Sequence, residues 1–272
     1  MSLLEVRGLT AGYGGRQVVQ NASFAAGAGE LTGLLGANGS GKTTLLKAVC
    51  GILPHAGSCF VAGQRLEGLG PRQLARVCGY IPQRSGIGVD LTAREVVLMG
   101  SNPRLGLLER PSAAMRAEAD RALAAAGLAG REEENYQTFS EGEKQLCILA
   151  RALAGGGRLL LLDEPESALD FRRRYRALAL LADWAAQGGR GALVALHDPG
   201  LALNCCARLL ILEGGGVRRV LRPAADPLEE MEAALGAVYG PVSLHRVAGR
   251  DGRPRLVMLK ETDGEEDGPC GL

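Results

Sequence analysis

An apolar segment at 30–35 runs directly into Gly36-Ala37-Asn38-Gly39-Ser40-Gly41-Lys42-Thr43, and an amphipathic helical pattern follows over 42–51. This GxxxxGK[ST] spacing, placed between a strand and a helix, constrains the chain more than any other feature. The glycines let backbone N–H groups curl around a phosphate chain, and the helix start adds partial positive charge there. Lys42 is positioned to reach the β- and γ-phosphates and Thr43 to ligate Mg²⁺. Only four residues in the chain are lysine, among 31 basic residues, so a lysine at this one position carries weight.

A strand that feeds such a loop is buried in a sheet, and the remaining periodicity supplies its neighbours. Strand patterns fall at 3–10, 18–24, 77–82, 158–163 and 191–196, and helical ones at 92–100, 113–127, 141–154, 171–187 and 200–207. Strands alternating with helices predict a mostly parallel α/β sheet covered on both faces. The strand-free stretch from Thr92 to Ala154 predicts an inserted helical subdomain. After the Gly214-Gly215-Gly216 turn, Asp226 reads as an N-cap with Pro227 at the first helical position, opening a helix to about Tyr239. A hairpin around Asp251-Gly252 is expected next, then an acidic, disordered tail over 261–272.

Composition narrows the function classes. A net charge of +1 over 272 residues excludes a global basic field for nucleic acid. No window approaches the ~20 apolar residues of a membrane span. The first residues, Met1 to Arg7, lack a basic start followed by a long apolar stretch, so no signal peptide is expected. Seven cysteines are scattered without a CxxC pair or a metal-spaced histidine, which reads as buried thiols in a reducing compartment. The adjacent Cys205 and Cys206 are expected on a helix as small buried residues.

The partner of the phosphate loop is Leu159-Leu160-Leu161-Leu162-Asp163-Glu164. The apolar run forms a buried strand whose end delivers Asp163 to the metal, and Glu164 can orient and deprotonate an attacking water. With four further elements, the set resembles the nucleotide-binding subunits of ABC transporters. Tyr13 matches the aromatic that stacks on adenine, and Gln83 in Tyr80-Ile81-Pro82-Gln83 the glutamine that touches Mg²⁺ or water. Phe139-Ser140-Glu141-Gly142-Glu143-Lys144-Gln145 looks like the family signature, Ser167-Ala168-Leu169-Asp170 like the dimer-interface loop, and His197 like the histidine that contacts the γ-phosphate.

The resemblance implies a P-loop NTPase core of the ABC type, with an N-terminal antiparallel β subdomain and an inserted helical subdomain over about 89–155. The cassette would span 1–216 and a C-terminal extension 217–260. ATP would be held by Tyr13, Gly36, Asn38, Gly39, Ser40, Gly41, Lys42, Thr43 and Thr44, and Mg²⁺ by Thr43, Gln83 and Asp163. Glu164, His197, Lys42 and Gln83 would serve hydrolysis. Ser140, Glu141, Gly142 and Glu143 would cap the nucleotide of a second copy, with Ser167 and Asp170 at the interface, so a head-to-tail homodimer is implied. Glu141 departs from the family's usual glycine and Glu166 from its small hydroxyl residue.

Val96-Val97-Leu98-Met99-Gly100 followed by Asn102-Pro103-Arg104-Leu105-Gly106 is similar to importers of iron-siderophores, haem and cobalamin, as are Lys144-Gln145-Leu146, Ile148-Leu149-Ala150-Arg151 and Val238-Tyr239-Gly240-Pro241. Such a subunit would lie in the cytoplasm, peripheral on the inner face of the cell membrane. It would dock beneath permease subunits beside Gln83 and serve an extracytoplasmic binding protein indirectly. Molybdate importers share parts of this pattern. A soluble ABC ATPase of translation or DNA maintenance would carry two cassettes or a coiled-coil insert, and neither is present. A module that holds ATP without hydrolysing it is disfavoured by Lys42, Asp163, Glu164 and His197.

Overall fold

The computed structural model describes residues 2–83, 86–106 and 108–262. The chain opens with β1 (Ser2–Tyr13) and β2 (Arg16–Gly27), joined through Gly14 and Gly15, both in the left-handed region. With β4 (His55–Val61) and β5 (Gln64–Arg65) they form an antiparallel sheet in the order β2-β1-β4-β5. The central sheet contains β3 (Leu31–Leu35), β6 (Cys78–Ile81), β7 (Leu159–Asp163), β8 (Gly191–Ala195), β9 (Arg208–Glu213) and β10 (Gly216–Leu221). Its order is β10-β9-β3-β8-β7-β6, and only β10 runs antiparallel to its neighbour.

The expected strands are all present. Four more, β4, β5, β9 and β10, and the short helix α2 (Pro71–Val77) had no assigned pattern in the sequence. β4 is interrupted by Gly57 in the left-handed region, which breaks the alternation a strand reading depends on.

Side-chain alternation divides the apolar strands between two cores. Leu159 and Leu161 of β7 face a core built with β1, β2 and helix α1 (Lys42–Val49). Leu160 and Leu162 face the opposite core, built with the helices that follow. Each fully buried Leu contributes about 1.5–3 kcal/mol, and strands buried on both faces read as unbroken apolar runs.

The second core includes α3 (Ala93–Leu98), α4 (Ala113–Ala126), α5 (Glu141–Ala154) and α6 (Phe171–Ala185). Thr92 caps α3 in a reciprocal box with Glu95, and Gly127 ends α4 in the left-handed region. The helix expected over 92–100 is shorter, because a 3-10 turn takes over at Met99. Gly100 there lies so close to α5 that a Cβ would stand 2.2 Å from the Arg151 carbonyl oxygen.

Helix α7 (Pro199–Cys205) carries Asn204, whose amide donates to Leu256 O at 2.8 Å and accepts from Leu256 N–H at 3.0 Å. That bond pair anchors the hairpin of β11 (Val242–Ala248) and β12 (Pro254–Lys260). Cys205 ends α7 half-buried and Cys206 follows it, buried. Helix α8 (Leu228–Tyr239) starts one residue later than expected, with Pro227 as its N-cap. Asp226 is drawn away, since its carboxylate accepts the Arg222 N–H at 2.7 Å. Of the tail, Glu261 is ordered against Pro241 by a 2.9 Å main-chain bond, and residues 263–272 lie outside the described residues.

Candidate active site

The loop between β3 and α1 is shaped by its glycines. Gly39 and Gly41 adopt φ of 77 and 104, and Gly41 is the N-cap of α1 with no side-chain cap. The first N–H groups of α1 therefore have no side-chain acceptor and suit an anion. At Gly36 the requirement is space: a Cβ would stand 2.7 Å from the Leu212 carbonyl oxygen of β9 and 2.6 Å from Ser40 Oγ. Ser40 Oγ is itself buried with no hydrogen-bond partner among the described residues, a donor left for a ligand. Lys42, only 6 % exposed, donates from Nζ to Gly36 O at 2.7 Å and Ala37 O at 3.3 Å. Burial pushes its pKa down, against the attraction of Glu164, Asp163 and Glu166, so the loop holds a desolvated ammonium facing acids.

β7 brings its carboxylates to this loop. Asp163 is buried, with Oδ2 accepting from Tyr80 Oη at 3.4 Å and Oδ1 without a partner among the described residues. A buried carboxylate oxygen of this kind, close enough to Lys42 to attract its charge, fits a cation such as Mg²⁺. Glu164 follows with φ of 52, a left-handed conformation that costs a non-glycine residue about 1–3 kcal/mol. The Glu164 N–H donates to Ala195 O of β8 at 3.1 Å, which holds the turn. Its Oε2 accepts from Gln83 Nε2 at 2.5 Å and stands 2.5 Å from His197 Nε2. The carboxylate is thus held at the cleft by contacts from two other chain segments, after β6 and after β8.

Asn38, Gly39, Ser40, Gly41, Lys42, Thr43, Thr44, Gln83, Glu164 and His197 line one cleft, joined by Val18, which the sequence did not single out. Tyr13, half exposed, lines an adjoining groove with Gly39, Ser40 and Gly215. In the sequence Tyr80 stands only as a flank of Gln83; its place beside Asp163 depends on β6 pairing with β7, which no local pattern shows.

The signature residues lie elsewhere. Ser140 caps α5 in a reciprocal box with Glu143, whose other oxygen accepts from Arg131 at 2.5 Å. Gly142 packs against the loop that carries Ser167, where a Cβ would stand 3.2 Å from Ala168 O. Asp170, at the end of that loop, caps α6 by accepting the Arg173 N–H at 2.8 Å. Glu141 is exposed and paired with Lys144 at 3.0 Å, so a cation already offsets the charge that replaces the family glycine. None of Ser140, Glu141, Gly142 and Glu143 lines the phosphate cleft; Glu141 and Ser167 border a second groove that begins at Gln83.

Glu166 is buried beneath the cleft. Its Oε1 accepts the His197 N–H at 3.4 Å, and its Oε2 has no partner among the described residues. Burial pushes its pKa up from the ordinary carboxylate value. A raised folded-state pKa means that the native chain binds more protons than the unfolded one, and stability falls as pH rises from the unfolded carboxylate value through the folded one. Glu166→Gln keeps the acceptor for His197 and removes the ionisation. Its melting temperature is expected to exceed that of wild type by a margin that grows from pH 5 to pH 8. A margin independent of pH, measured by calorimetry, would refute the raised pKa of Glu166.

The family model of ABC transporters matches residues 19–167. The chain is 37% identical over 262 residues to the hemin import ATP-binding protein HmuV of Rhizobium etli, covering 93% of this chain and 96% of that one. It is 34% identical over 227 residues to the cobalamin import ATP-binding protein BtuD of Halobacterium salinarum, covering 81% of this chain and 56% of that one. Among solved structures, an inward-facing ABC transporter assigned to the metal-chelate type superposes with a TM-score of 0.79 at 24% identity, over 96% of this chain and 99% of that one. An ATP-binding subunit of an ABC transporter superposes with a TM-score of 0.73 at 27% identity, over 88% and 95%.

Proposed function

The chain belongs to the ABC transporter family, and from that membership we propose that it is the ATP-hydrolysing subunit of an importer that takes up a metal chelate through a separate membrane permease. The observation that carries the reading is the convergence of Glu164, Gln83 and His197 on the cleft formed by the glycine loop and Lys42. The cargo class follows the hemin and cobalamin import proteins to which the chain is 34–37% identical, and agrees with the siderophore, haem and cobalamin pattern of its helical segment.

In this reading Gly36, Asn38, Gly39, Ser40, Gly41, Thr43 and Thr44 hold the phosphates of ATP through main-chain and hydroxyl donors. Lys42 turns from the Gly36 and Ala37 carbonyls to the β- and γ-phosphates, and Tyr13 supports the base at the edge of the cleft. Mg²⁺, when bound by Thr43, Asp163 and Gln83, neutralises charge on the phosphate oxygens. Glu164 orients water and accepts its proton, and His197 donates to the reacting end. Gln83, the hydrogen-bond donor to Glu164 Oε2, also lines the second groove, so its contact links the base to that face of the subunit.

The position of the signature outside its own cleft supports its use in trans. Ser140 and the start of α5, with Gly142, would close on the nucleotide of a second copy, and Ser167 and Asp170 would line the joint. The division into a cassette at 1–216 and an extension at 217–260 belongs to the same proposal. No helix of the described residues is long and apolar enough to cross a membrane. Contact with the bilayer's inner face would come through the permease, docked beside Gln83 and α3, with the binding protein engaged indirectly.

Isolation from native membranes tests the reading: a multi-span permease is expected to co-purify, with Mg²⁺-dependent ATP hydrolysis stimulated by the loaded binding protein. Haem, cobalamin or a siderophore bound to that protein supports the cargo class, and molybdate overturns it. Co-purification of ribosomes or DNA in place of a permease overturns the importer.

A further inference from the structure

His55, Cys59 and Glu67 converge on the antiparallel sheet, and none of them lines the phosphate cleft. The ligand-type atoms of all three lie within 4.8 Å of one another. His55 and Cys59 are four residues apart on β4, where undistorted strand geometry would separate their Cα atoms by about 13 Å. Between them Gly57 takes φ of 97, and the register with β1 shifts, with Arg7 opposite Ser58 and Thr10 opposite Ala56. A Cβ on Gly57 would stand 2.6 Å from the Arg7 and Gly8 carbonyl oxygens, so only glycine permits this bulge. The bulge brings His55 Nε2 to 3.9 Å from Cys59 Sγ. Glu67, between β5 and α2, then presents Oε1 to His55 Nε2 at 3.1 Å.

Contacts from outside the group orient its members. His55 Nδ1 faces the Leu53 carbonyl oxygen at 3.4 Å, and a carbonyl only accepts, so Nδ1 is the donor there. Nε2 faces the Glu67 carboxylate at 3.1 Å and Cys59 Sγ at 3.9 Å, where it is placed to ligate a cation. The carboxylate is fixed from outside by the Cys59 N–H on Oε1 at 2.6 Å and by Arg65 Nε on Oε2 at 3.0 Å. An Nδ1–H held by a main-chain carbonyl and an oriented carboxylate are the supports that surround metal-bound histidine and glutamate.

We propose that His55, Cys59 and Glu67 bind a divalent transition-metal ion, Zn²⁺ by the character of its donors. Imidazole nitrogen, thiolate and carboxylate together suit Zn²⁺, and hard cations such as Mg²⁺ or Ca²⁺ prefer all-oxygen sets. Ligand atoms on a tetrahedral Zn²⁺ stand about 3.3–3.7 Å apart, given Zn–N, Zn–O and Zn–S bonds of ~2.0–2.3 Å, so side-chain shifts of up to about an ångström close the site. Burial pushes the Cys59 thiol up to about 12 in the metal-free chain. Binding replaces that S–H bond by a Zn–S bond and releases one proton to solvent, with no change in oxidation state. The fourth position falls to water. A bound ion would tie the segment leading into α2 to the middle of β4. The scattered-cysteine reading missed this site because its ligands meet only through the bulge.

The full-length chain, stripped with chelator and kept in excess Mg²⁺, is titrated with Co²⁺ as a spectroscopic probe. One equivalent per chain with a thiolate-to-Co²⁺ charge-transfer band, bleached by Zn²⁺, is the expected result, and Zn²⁺ raises the melting temperature. Cys59→Ser removes the band, and His55→Gln, which keeps a polar side chain at the position, weakens Co²⁺ binding by about tenfold or more. ATP hydrolysis under saturating Mg²⁺ is unchanged in both variants. Absence of the band in wild type shows that a proton alone bridges His55 and Glu67, and overturns the site. A band that survives Cys59→Ser, or an affinity that His55→Gln leaves unaltered, overturns it equally by placing the metal on other thiols.

Discussion

A Glu164→Gln chain is expected to hydrolyse ATP about a thousandfold more slowly than wild type, and to bind it as well as wild type does. Glutamine matches glutamate in length and shape, so the left-handed backbone at this position and its bond to Ala195 O carry over. The amide oxygen can still accept from Gln83, the donor that holds the side chain. What glutamine cannot do is take a proton from water. The loss therefore falls on turnover and leaves nucleotide affinity intact. Single-turnover phosphate release and equilibrium binding of a fluorescent ATP analogue separate the two. In the proposed homodimer, ATP-bound dimers accumulate in the variant and are read by light scattering. Turnover within about tenfold of wild type would remove Glu164 from the role of base.

Lys42→Met is expected to weaken ATP binding by roughly 10–150-fold, the equivalent of about 1.5–3 kcal/mol for one charge-assisted hydrogen bond, and to abolish hydrolysis at ordinary ATP concentrations. Methionine fills a similar volume, so the buried stem is replaced and the ammonium alone is lost. That ammonium now bonds to the Gly36 and Ala37 carbonyls, and it is attracted by the acids at and after the end of β7. Lys42→Arg does not rescue, because a planar five-donor fork cannot occupy a pocket cut for a single point of charge. Calorimetric titration of ATP into each variant gives the affinities directly. Binding within about threefold of wild type for Lys42→Met would show that the glycine loop and helix start alone hold the phosphates.

Much of this site was legible because its parts are local in the chain. Gly36 through Thr43 works through the spacing of residues that are neighbours in sequence, and the loop carries its own donors wherever β3 sits. Asp163 and Glu164 could be read from a buried apolar strand that ends abruptly in acids, and His197 from its place just after β8. The Ser140–Glu143 capping box is likewise a property of four consecutive residues. Other features depended on which strands became neighbours. Tyr80 meets Asp163 because β6 pairs with β7, and Gly36 is irreplaceable because the Leu212 carbonyl of β9 leaves no room for a Cβ. Glu166 showed in the sequence only as a departure from a pattern. Its burial, its contact with the His197 N–H and its raised pKa follow from packing beneath the cleft.

Residue patterns alone were enough for the phosphate loop, the paired acids of β7, the alternation of strands and helices, and with them the family and its chemistry. These rest on short-range rules: residue spacing, side-chain alternation and the conformational freedom of glycine. The order of the strands, the placement of the signature outside its own cleft, and the meeting of His55, Cys59 and Glu67 at a bulge against β1 came from the packed chain. Each of those turns on a contact between segments distant in sequence. Such contacts are selected by how two cores fill the faces of one sheet, and no spacing within a single segment encodes that choice.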